Sequence, residues 1–341
     1  MTNPGSYLSS DSSGDYTAQF TRLLRDTETD NCPLLLELME GGGVNRRLLG
    51  YLFGMAVFHT DRLVNGKAMA LLQRHASEAT VLQATKLRES VSYHYDEAEY
   101  FSRYQSTEID LFDLLLAGKM CLWHRSRPGH GSSAQVAFQT LDLRRLTVDT
   151  LSESLSTLHF LKFIALPAHK NFDLAAAVPV LLELPLEVLI IENVRIEQFP
   201  VALLGLDTLH TLIIRKGNLR PRAPMQVPEG GPHGSPALEK LILEAYPIEG
   251  EEHLGPFPKL REATLVRCQI TRLDMLEQSK QLERLDASHN HIEVLPHFLS
   301  NCQQLRSMKL SDNPFRQINL NLENLLQLEE LEIKIQAAKH N

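Results

Sequence analysis

Apolar and polar residues follow one fixed order between positions 282 and 315 of the chain. Leu285 and Ala287 flank Asp286, which is the spacing of a strand whose alternate side chains point to opposite sides. Asn290 follows three residues later, and the same order returns around Asn313. Each copy predicts a short strand buried on one side. The asparagine amide that follows can satisfy backbone groups left without partners where the chain turns.

The same order continues through the C-terminal two-thirds of the chain. Copies begin at Phe138, Leu158, Leu186, Leu209, Leu238, Leu260, Leu282, Leu305 and Leu328, and the last four steps are of 22, 22, 23 and 23 residues. The pattern L-x-x-L-x-L-x-x-N-x-L resembles the leucine-rich repeat, whose period is roughly 20–29 residues. The dipeptides Phe199-Pro200 and Leu295-Pro296 resemble the "LP" turn of the typical class, of roughly 23 residues, that is common in bacteria and in cytosolic signalling scaffolds.

The resemblance implies an α/β leucine-rich-repeat solenoid over residues 134–341, with a parallel sheet on its concave face. The ninth position of each copy holds Leu146, Leu166, Val194, Gly217, Tyr246, Cys268, Asn290 and Asn313, so only the last three match the family's Asn/Cys ladder. We interpret Cys268 as a small buried residue with a weak S–H donor, in preference to a reactive thiol.

One residue in each copy lies between the two inward strand positions and should face outward on the concave side. These residues are Asp142, Lys162, Ile190, Ile213, Ile242, Thr264, Asp286, Lys309 and Glu332. An apolar centre with a charged rim is typical of interfaces, although isoleucine also favours strands when it is exposed. The sequence therefore predicts a partner-binding surface made of Val188, Ile190, Thr211, Ile213, Ile242, Thr264, Asp286 and Lys309.

The N-terminal part of the chain has a different pattern. Residues 1–30 are rich in Ser, Thr and Asp and predict a disordered tail. Residues 31–125 show helical spacing and predict an all-α domain, in which Asn45 and Asp61 are candidate helix caps. Residues 45–75 resemble a HEAT-type helical hairpin. The Pro/Gly/Ser-rich stretch 125–133 marks the predicted boundary, and the helical domain is expected to cover the exposed first coil.

Composition narrows the function classes. The net charge of −8 argues against an electrostatic grip on nucleic acid or on an anionic membrane. The start, MTNPGSYLSS, does not predict a signal peptide, and no apolar run is long enough to predict a membrane span. The four cysteines form no CxxC pair, which favours a reducing compartment and hence the cytoplasm.

Motifs for catalysis or cofactor binding are weak. Gly66-Lys67 lacks the remainder of a phosphate-binding loop, and no cysteine has the Cys-x-Asp context of a ubiquitin ligase. His289 and His291 should diverge across the turn, so no metal site is predicted. An enzyme, or an enzyme's regulatory subunit, stays open as an alternative because the helical domain contains His59, His75, His94, Glu97, Glu99 and His124.

Two copies are longer than the others, and the final copy is expected to end in an exposed edge strand. Residues 172–178 predict an extra helix on the convex side. Residues 220–236 are so rich in Pro and Gly that we expect a projecting loop without helix or strand pairing, either a mobile insertion or a contact loop.

The final strand has little after it, so self-association through the C-terminal edge is a further expectation. The sequence as a whole predicts a non-catalytic interaction or scaffold protein, with a role in intracellular signalling and without a cofactor.

Overall fold

The computed structural model describes residues 23, 31–59, 61–90, 108–109, 112, 114–115, 118–119, 139–217, 223–231, 233–318 and 320–334. The predicted N-terminal tail and the predicted boundary at 125–133 lie outside these residues, apart from residue 23. The chain divides into two compact units, one of Met1–Leu141 with Leu151–Phe160 and one of Asp142–Thr150 with Leu161–Asn341. Among the described residues, no helix combines the length and the apolar character that crossing a membrane requires.

Four helices of the first unit have their full ranges within the described residues. They are α1 (Cys32–Gly42), α2 (Arg46–Phe58), α3 (Arg62–His75) and α4 (Glu78–Ser90). The Asn45 side chain accepts a hydrogen bond from the Leu48 N–H at 3.0 Å, and Asp61 accepts one from the Leu63 N–H at 2.7 Å. Both predicted caps are therefore confirmed, because each satisfies an N–H group that the first helical turn leaves without a partner.

Polar side chains join these helices at their ends. Asn65 in α3 is buried and donates to the carbonyls of Met55 and Ala56 at the end of α2. The Glu108 carboxylate accepts hydrogen bonds from the Ser77 N–H at 3.0 Å and from the Thr80 hydroxyl at 2.7 Å, at the start of α4. Burial acts to raise the pKa of Glu108, but these hydrogen bonds outweigh it and hold the pKa below its usual value. The helices form a packed hairpin arrangement, and nothing in it establishes the HEAT-like class.

The second unit is built on a nine-stranded sheet. Its strands, in spatial order, are β1 (Thr140–Asp142), β2 (Phe163–Ala165), β3 (Val188–Glu192), β4 (Thr211–Arg215), β6 (Lys240–Glu244), β8 (Glu262–Val266), β9 (Arg284–Asp286), β11 (Ser307–Lys309) and β13 (Glu330–Glu332). From β2 onward all neighbours are parallel. Successive strands come from successive coils, which is the topology of a leucine-rich-repeat solenoid.

The inward strand positions form one continuous core. Leu189, Leu212, Leu241, Ala263, Leu285 and Met308 are paired in sequence along the sheet and each is at most 1% exposed. The return side of the coils contains helix α5 (Leu174–Leu182), which Asp173 caps through a bond from the Ala176 N–H at 3.0 Å. The predicted extra helix is therefore confirmed, although it begins and ends later than expected. Other coils use short 3-10 helices, such as Val201–Gly205 and His297–Asn301.

The register of the second coil differs from the prediction. Ile164 pairs with Leu189 and Ala165 pairs with Ile190, so Ala165, not Lys162, occupies the outward position. Leu158 and Leu161 are both fully buried, and this second apolar pair allowed the pattern to be placed three residues early. Lys162 instead lies just before the strand, where its Nζ is 2.6 Å from the Glu187 carboxylate.

The prediction of an unpaired loop over residues 220–236 is also wrong in part. Strand β5 (Met225–Gln226) pairs in parallel with β7 (Ile248–Glu249), much as β10 (Val294–Leu295) pairs with β12 (Gln317–Ile318). Met225 is fully buried and Val227 nearly so. The prolines of the insertion lie beside these residues and not at them, so the N–H groups of Met225 and Gln226 remain free to join the ladder.

Candidate protein-interaction surface

The outward strand positions form an ordered open face on the nine-stranded sheet. Its central row consists of Ala165, Ile190, Ile213, Ile242, Thr264, Asp286, Lys309 and Glu332, each paired with the next across neighbouring strands. The Leu143 N–H donates to the Ala165 carbonyl as the Leu166 N–H donates to that of Ile190, which places Asp142 at the start of this row.

A first lateral row runs beside the central row. It consists of Val188, Thr211, Lys240, Glu262, Arg284, Ser307 and Glu330. All eight residues predicted from the sequence to bind a partner therefore lie in these two adjacent rows. Their position on one face follows from the strand register, and their role in binding stays a prediction.

Apolar side chains occupy this face on three neighbouring strands, β3, β4 and β6. We call Val188, Ile190, Ile213 and Ile242 the isoleucine patch. Val188, Ile190 and Ile213 are half-buried, whereas Ile242 is only 7% exposed. The accessible apolar surface is therefore centred on β3 and β4. Ile242 packs beside it and offers little surface for contact with a partner.

Charged side chains surround the patch, and they are paired with one another. Lys240 Nζ lies 2.5 Å from the Glu262 carboxylate, which also pairs with Arg284. On the other side of the central row, the Arg215 guanidinium lies 3.2 Å from Glu244 and 3.7 Å from Glu192. Opposite charges on neighbouring strands stabilise the sheet face.

The neighbouring charged side chains change the pKa of one carboxylate on this face, that of Glu262. The Lys240 ammonium, through its hydrogen bond, holds the pKa of Glu262 below its usual value, and Arg284 adds to the effect against the opposing influence of burial. Sequence reasoning missed these pairs. The sequence does contain opposite charges 22 residues apart, at Lys240, Glu262 and Arg284. This spacing indicates pairing only when the register of the strands is known.

A ladder of buried polar side chains lies at the turn that ends each strand. The Asn290 amide donates to the carbonyls of Leu265 and Ala287, and its oxygen accepts from the Cys268 N–H at 2.9 Å. Asn313 repeats this arrangement one coil further, accepting from the Ile292 N–H at 3.1 Å. The predicted role of these asparagines is therefore confirmed: each links two coils through backbone groups at the turn.

Cys268 takes the place of an asparagine in its coil. It is fully buried, and its Sγ donates to the carbonyls of Leu243 at 3.1 Å and Val266 at 3.3 Å. Burial raises the pKa of the Cys268 thiol to about 12, so the thiolate is suppressed at neutral pH. The interpretation of Cys268 as a structural residue is confirmed by these contacts.

Two of the six residues proposed for an enzymatic alternative lie in the part of the chain that the structure describes, one before α3 and one at its end. His59 is buried, and its Nδ1 accepts a hydrogen bond from the Asp61 N–H at 3.1 Å in the turn between α2 and α3. His75 ends α3 and is exposed. Over the described ranges, no three His, Cys, Asp or Glu side chains are grouped so that they could hold a metal ion. His94, Glu97, Glu99 and His124 lie outside the described residues.

Parallel strands one coil apart, a buried Asn/Cys ladder and spacings of 22 or 23 residues define the second unit as a leucine-rich-repeat solenoid. No protein-family model matches the sequence, and no curated protein matches it. Solved structures of similar fold include a leucine-rich-repeat protein of Leptospira interrogans, at 21% identity and a TM-score of 0.42. That match covers 64% of this chain and 57% of the other.

Two further solved structures show the same kind of likeness. Internalin C2 of Listeria monocytogenes is 20% identical with a TM-score of 0.45, over 60% of this chain and 83% of its own. TLR13, solved in complex with single-stranded RNA, is 18% identical with a TM-score of 0.35, over 57% of this chain and 32% of its own. These are similarities of fold. The expectation that this chain binds no nucleic acid stays a prediction.

Proposed function

We propose that this chain is a non-catalytic interaction protein that binds a protein partner through the open face of its sheet. The observation that carries the proposal is the register of the isoleucine patch: Ile190 pairs with Ile213, and Ile213 pairs with Ile242. Three apolar side chains on consecutive strands form a contiguous strip in place of scattered exposed residues. Contiguous apolar surface within a charged rim is the composition of interface centres.

The contacts around the patch support a mechanism based on rigidity. The asparagine ladder and the parallel strands hold the open-face side chains in place before binding, which lowers the ordering cost that a flexible surface would incur. The flanking charges already have partners within the sheet, as Lys240 has in Glu262. A partner therefore gains binding free energy mainly by covering the isoleucine patch. The paired charges around the patch disfavour partners that present an unmatched charge there.

The cytoplasmic location and the signalling role are part of this proposal. Cys268 and Cys302 are buried and form no disulfide, which suits a reducing compartment. The isoleucine patch would serve a signalling scaffold by recruiting a partner without altering it chemically.

Site-specific photo-cross-linking tests the proposal. A benzophenone amino acid would replace Thr211 or Thr264 on the open face, and in a control protein it would replace Glu197, which is exposed outside the sheet. After irradiation in lysate of the source cells, we expect adducts of a defined mass from the two open-face positions and none of that mass from Glu197. Equal adducts at all three positions would mean that the open face is not the binding surface.

A pair of variants separates loss of binding from loss of fold. Ile190→Lys with Ile213→Lys should abolish the adducts, because two ammonium groups would be desolvated in the interface. Ile190→Val with Ile213→Val keeps strand propensity and apolar character, so it should retain them. Circular dichroism melts would verify that both proteins are folded, and adducts that persist in the folded lysine variant would exclude the patch.

A further inference from the structure

The last strand of the sheet, β13, is paired on one side only among the strands that the structure describes. Glu330 and Glu332 pair with Ser307 and Lys309 of β11. The Glu330 N–H donates to the Arg306 carbonyl, and the Glu332 carbonyl accepts from the Leu310 N–H. In a parallel ladder this pattern directs the N–H and C=O groups of the intervening Leu331 away from β11, towards the free edge.

The charge of this edge is unlike that of the preceding coil. Residues 320–334 contain Glu323, Glu329, Glu330 and Glu332 but only one basic residue, Lys334. On the open face, Lys309 Nζ lies 2.9 Å from Glu330 and 3.7 Å from Glu332, so two carboxylates share one ammonium group. The sign alternates over Lys240, Glu262 and Arg284 in one row and over Asp286, Lys309 and Glu332 in the other. At β13 both rows end on acidic residues.

The apolar side chains of the same edge are exposed in part or almost fully. Leu331 is 40% exposed, and Leu322 and Leu326 of the same coil are 49% and 90% exposed. The corresponding inward residue one strand earlier, Met308, is fully buried. The edge thus presents two carboxylates on one face, apolar side chains on the other, and between them the backbone groups of Leu331, which no described residue pairs.

We propose that β13 binds an extended, basic segment of a partner protein, which adds a strand to the sheet. The segment would have Lys or Arg at two alternate positions, opposite Glu330 and Glu332, and an apolar residue between them that covers Leu331. Strand addition supplies the main-chain hydrogen bonds, and the alternate side chains supply the selectivity. Because the Lys-apolar-Lys order is symmetric, it fits β13 in either strand direction.

The same geometry disfavours a second copy of this chain as the occupant. Two β13 strands paired antiparallel about Leu331 would place Glu330 of each copy opposite Glu332 of the other, and like charges directly opposite one another destabilise a strand pair. Self-association through this edge, expected from the sequence, is therefore the competing outcome of the test.

Fluorescence anisotropy with a labelled nine-residue peptide tests the proposal on the full chain. The probe peptide alternates Lys and Val, and its control has the same composition with all lysines in one block. We expect saturable binding of the alternating peptide, weakened by added salt, and at least several-fold weaker binding of the blocked peptide. Equal binding of both peptides would reduce the effect to net charge and overturn the proposal, as would absence of binding.

Charge-reversal variants locate the binding site. Glu330→Lys with Glu332→Lys should lower the affinity for the alternating peptide by roughly tenfold or more, because two attractive charge pairs become repulsive. The matched control, Glu183→Lys with Glu197→Lys, reverses two exposed carboxylates elsewhere and should leave the affinity within about twofold. Equal loss in both variants would place the peptide away from β13.

Two further measurements identify competing occupants. Light scattering of the wild-type chain should show a monomer at all concentrations. A dimer that Leu331→Arg dissociates would assign the edge to a second copy. A chain lacking residues 335–341 should bind the peptide as the full chain does, and binding only after this truncation would assign the edge to that segment.

Discussion

The hydroxyl group of Tyr246 donates a hydrogen bond to the backbone carbonyl of Val194, two coils away along the solenoid. Gly217 holds the ladder position in the coil between them, and it has no side chain to offer. Tyr246 is 1% exposed, so this bond lies in the core. The bond spans a coil that cannot contribute a side chain to the polar ladder, and it links the coils of β6 and β3, which carry the isoleucine patch.

Replacing Tyr246 by Phe tests this link. The variant leaves the Val194 carbonyl without its donor, and a buried group without a partner costs about 1–3 kcal/mol. We expect the free energy of unfolding in urea to fall by that amount. An unchanged midpoint and slope would show that the hydroxyl contributes nothing to stability.

The same variant should change stability in alkali. Burial raises the pKa of Tyr246 from 10 to about 12, so the folded state holds this proton more firmly than the unfolded state. The resulting contribution is complete below pH 10 and is lost as the pH rises towards 12. In Tyr246→Phe, the decline of stability above pH 10 should be shallower than in the wild type.

Replacing Asn290 by Ala should destabilise the protein more than the tyrosine variant does. The change removes the acceptor of the Cys268 N–H and the donor to Leu265 and Ala287, all in the interior. We expect a loss of about 3 kcal/mol or more in urea unfolding. Asn324→Ala is the control because Asn324 is exposed, and its effect should stay within about 0.5 kcal/mol.

A pair of leucine variants tests the shared core. Leu285 is 1% exposed, and Leu285→Ala should cost about 2–5 kcal/mol through lost burial and the cavity left behind. Leu326 is 90% exposed, so Leu326→Ala should have little effect. Similar thermal midpoints for the two variants would contradict the position of Leu285 in the interior.

The paired charges of the open face predict a response to acid. The pKa of Glu262 is held below its usual value of 4.5, so its pairing contributes stability that is present above pH 4.5 and is lost as the pH falls through the lower, folded-state pKa. Glu262→Gln should therefore be less stable than the wild type at pH 7, and the difference should shrink below pH 4. Glu239→Gln, at an exposed position, should show no such convergence.

Several features of the fold followed from local patterns. The leucine spacing around Leu285 and Leu310 predicted parallel coils, because an apolar residue at every second strand position has to face a core. Asn290 and Asn313 revealed the turn, and Asn45 and Asp61 revealed the first turns of two helices. Each of these inferences depends on residues that are close in sequence.

The register errors arose where local patterns were ambiguous. Leu158 and Leu161 both fit the first position of the second coil, and only the pairing of Ile164 with Leu189 selects Leu161. Met225 seemed part of an irregular insertion because of the surrounding prolines. Its pairing with Ile248 depends on the next coil, which lies 23 residues further along the chain.

By itself, the sequence determined that the chain contains a leucine-rich-repeat solenoid and which apolar residues form its core, since burial imposes a period that is readable along the chain. Tertiary structure decided which side chains meet across coils. The contact of Tyr246 with Val194 and the pairing of Glu262 with Lys240 both depend on strand register. Register brings together residues that are distant in sequence, and no local period records it.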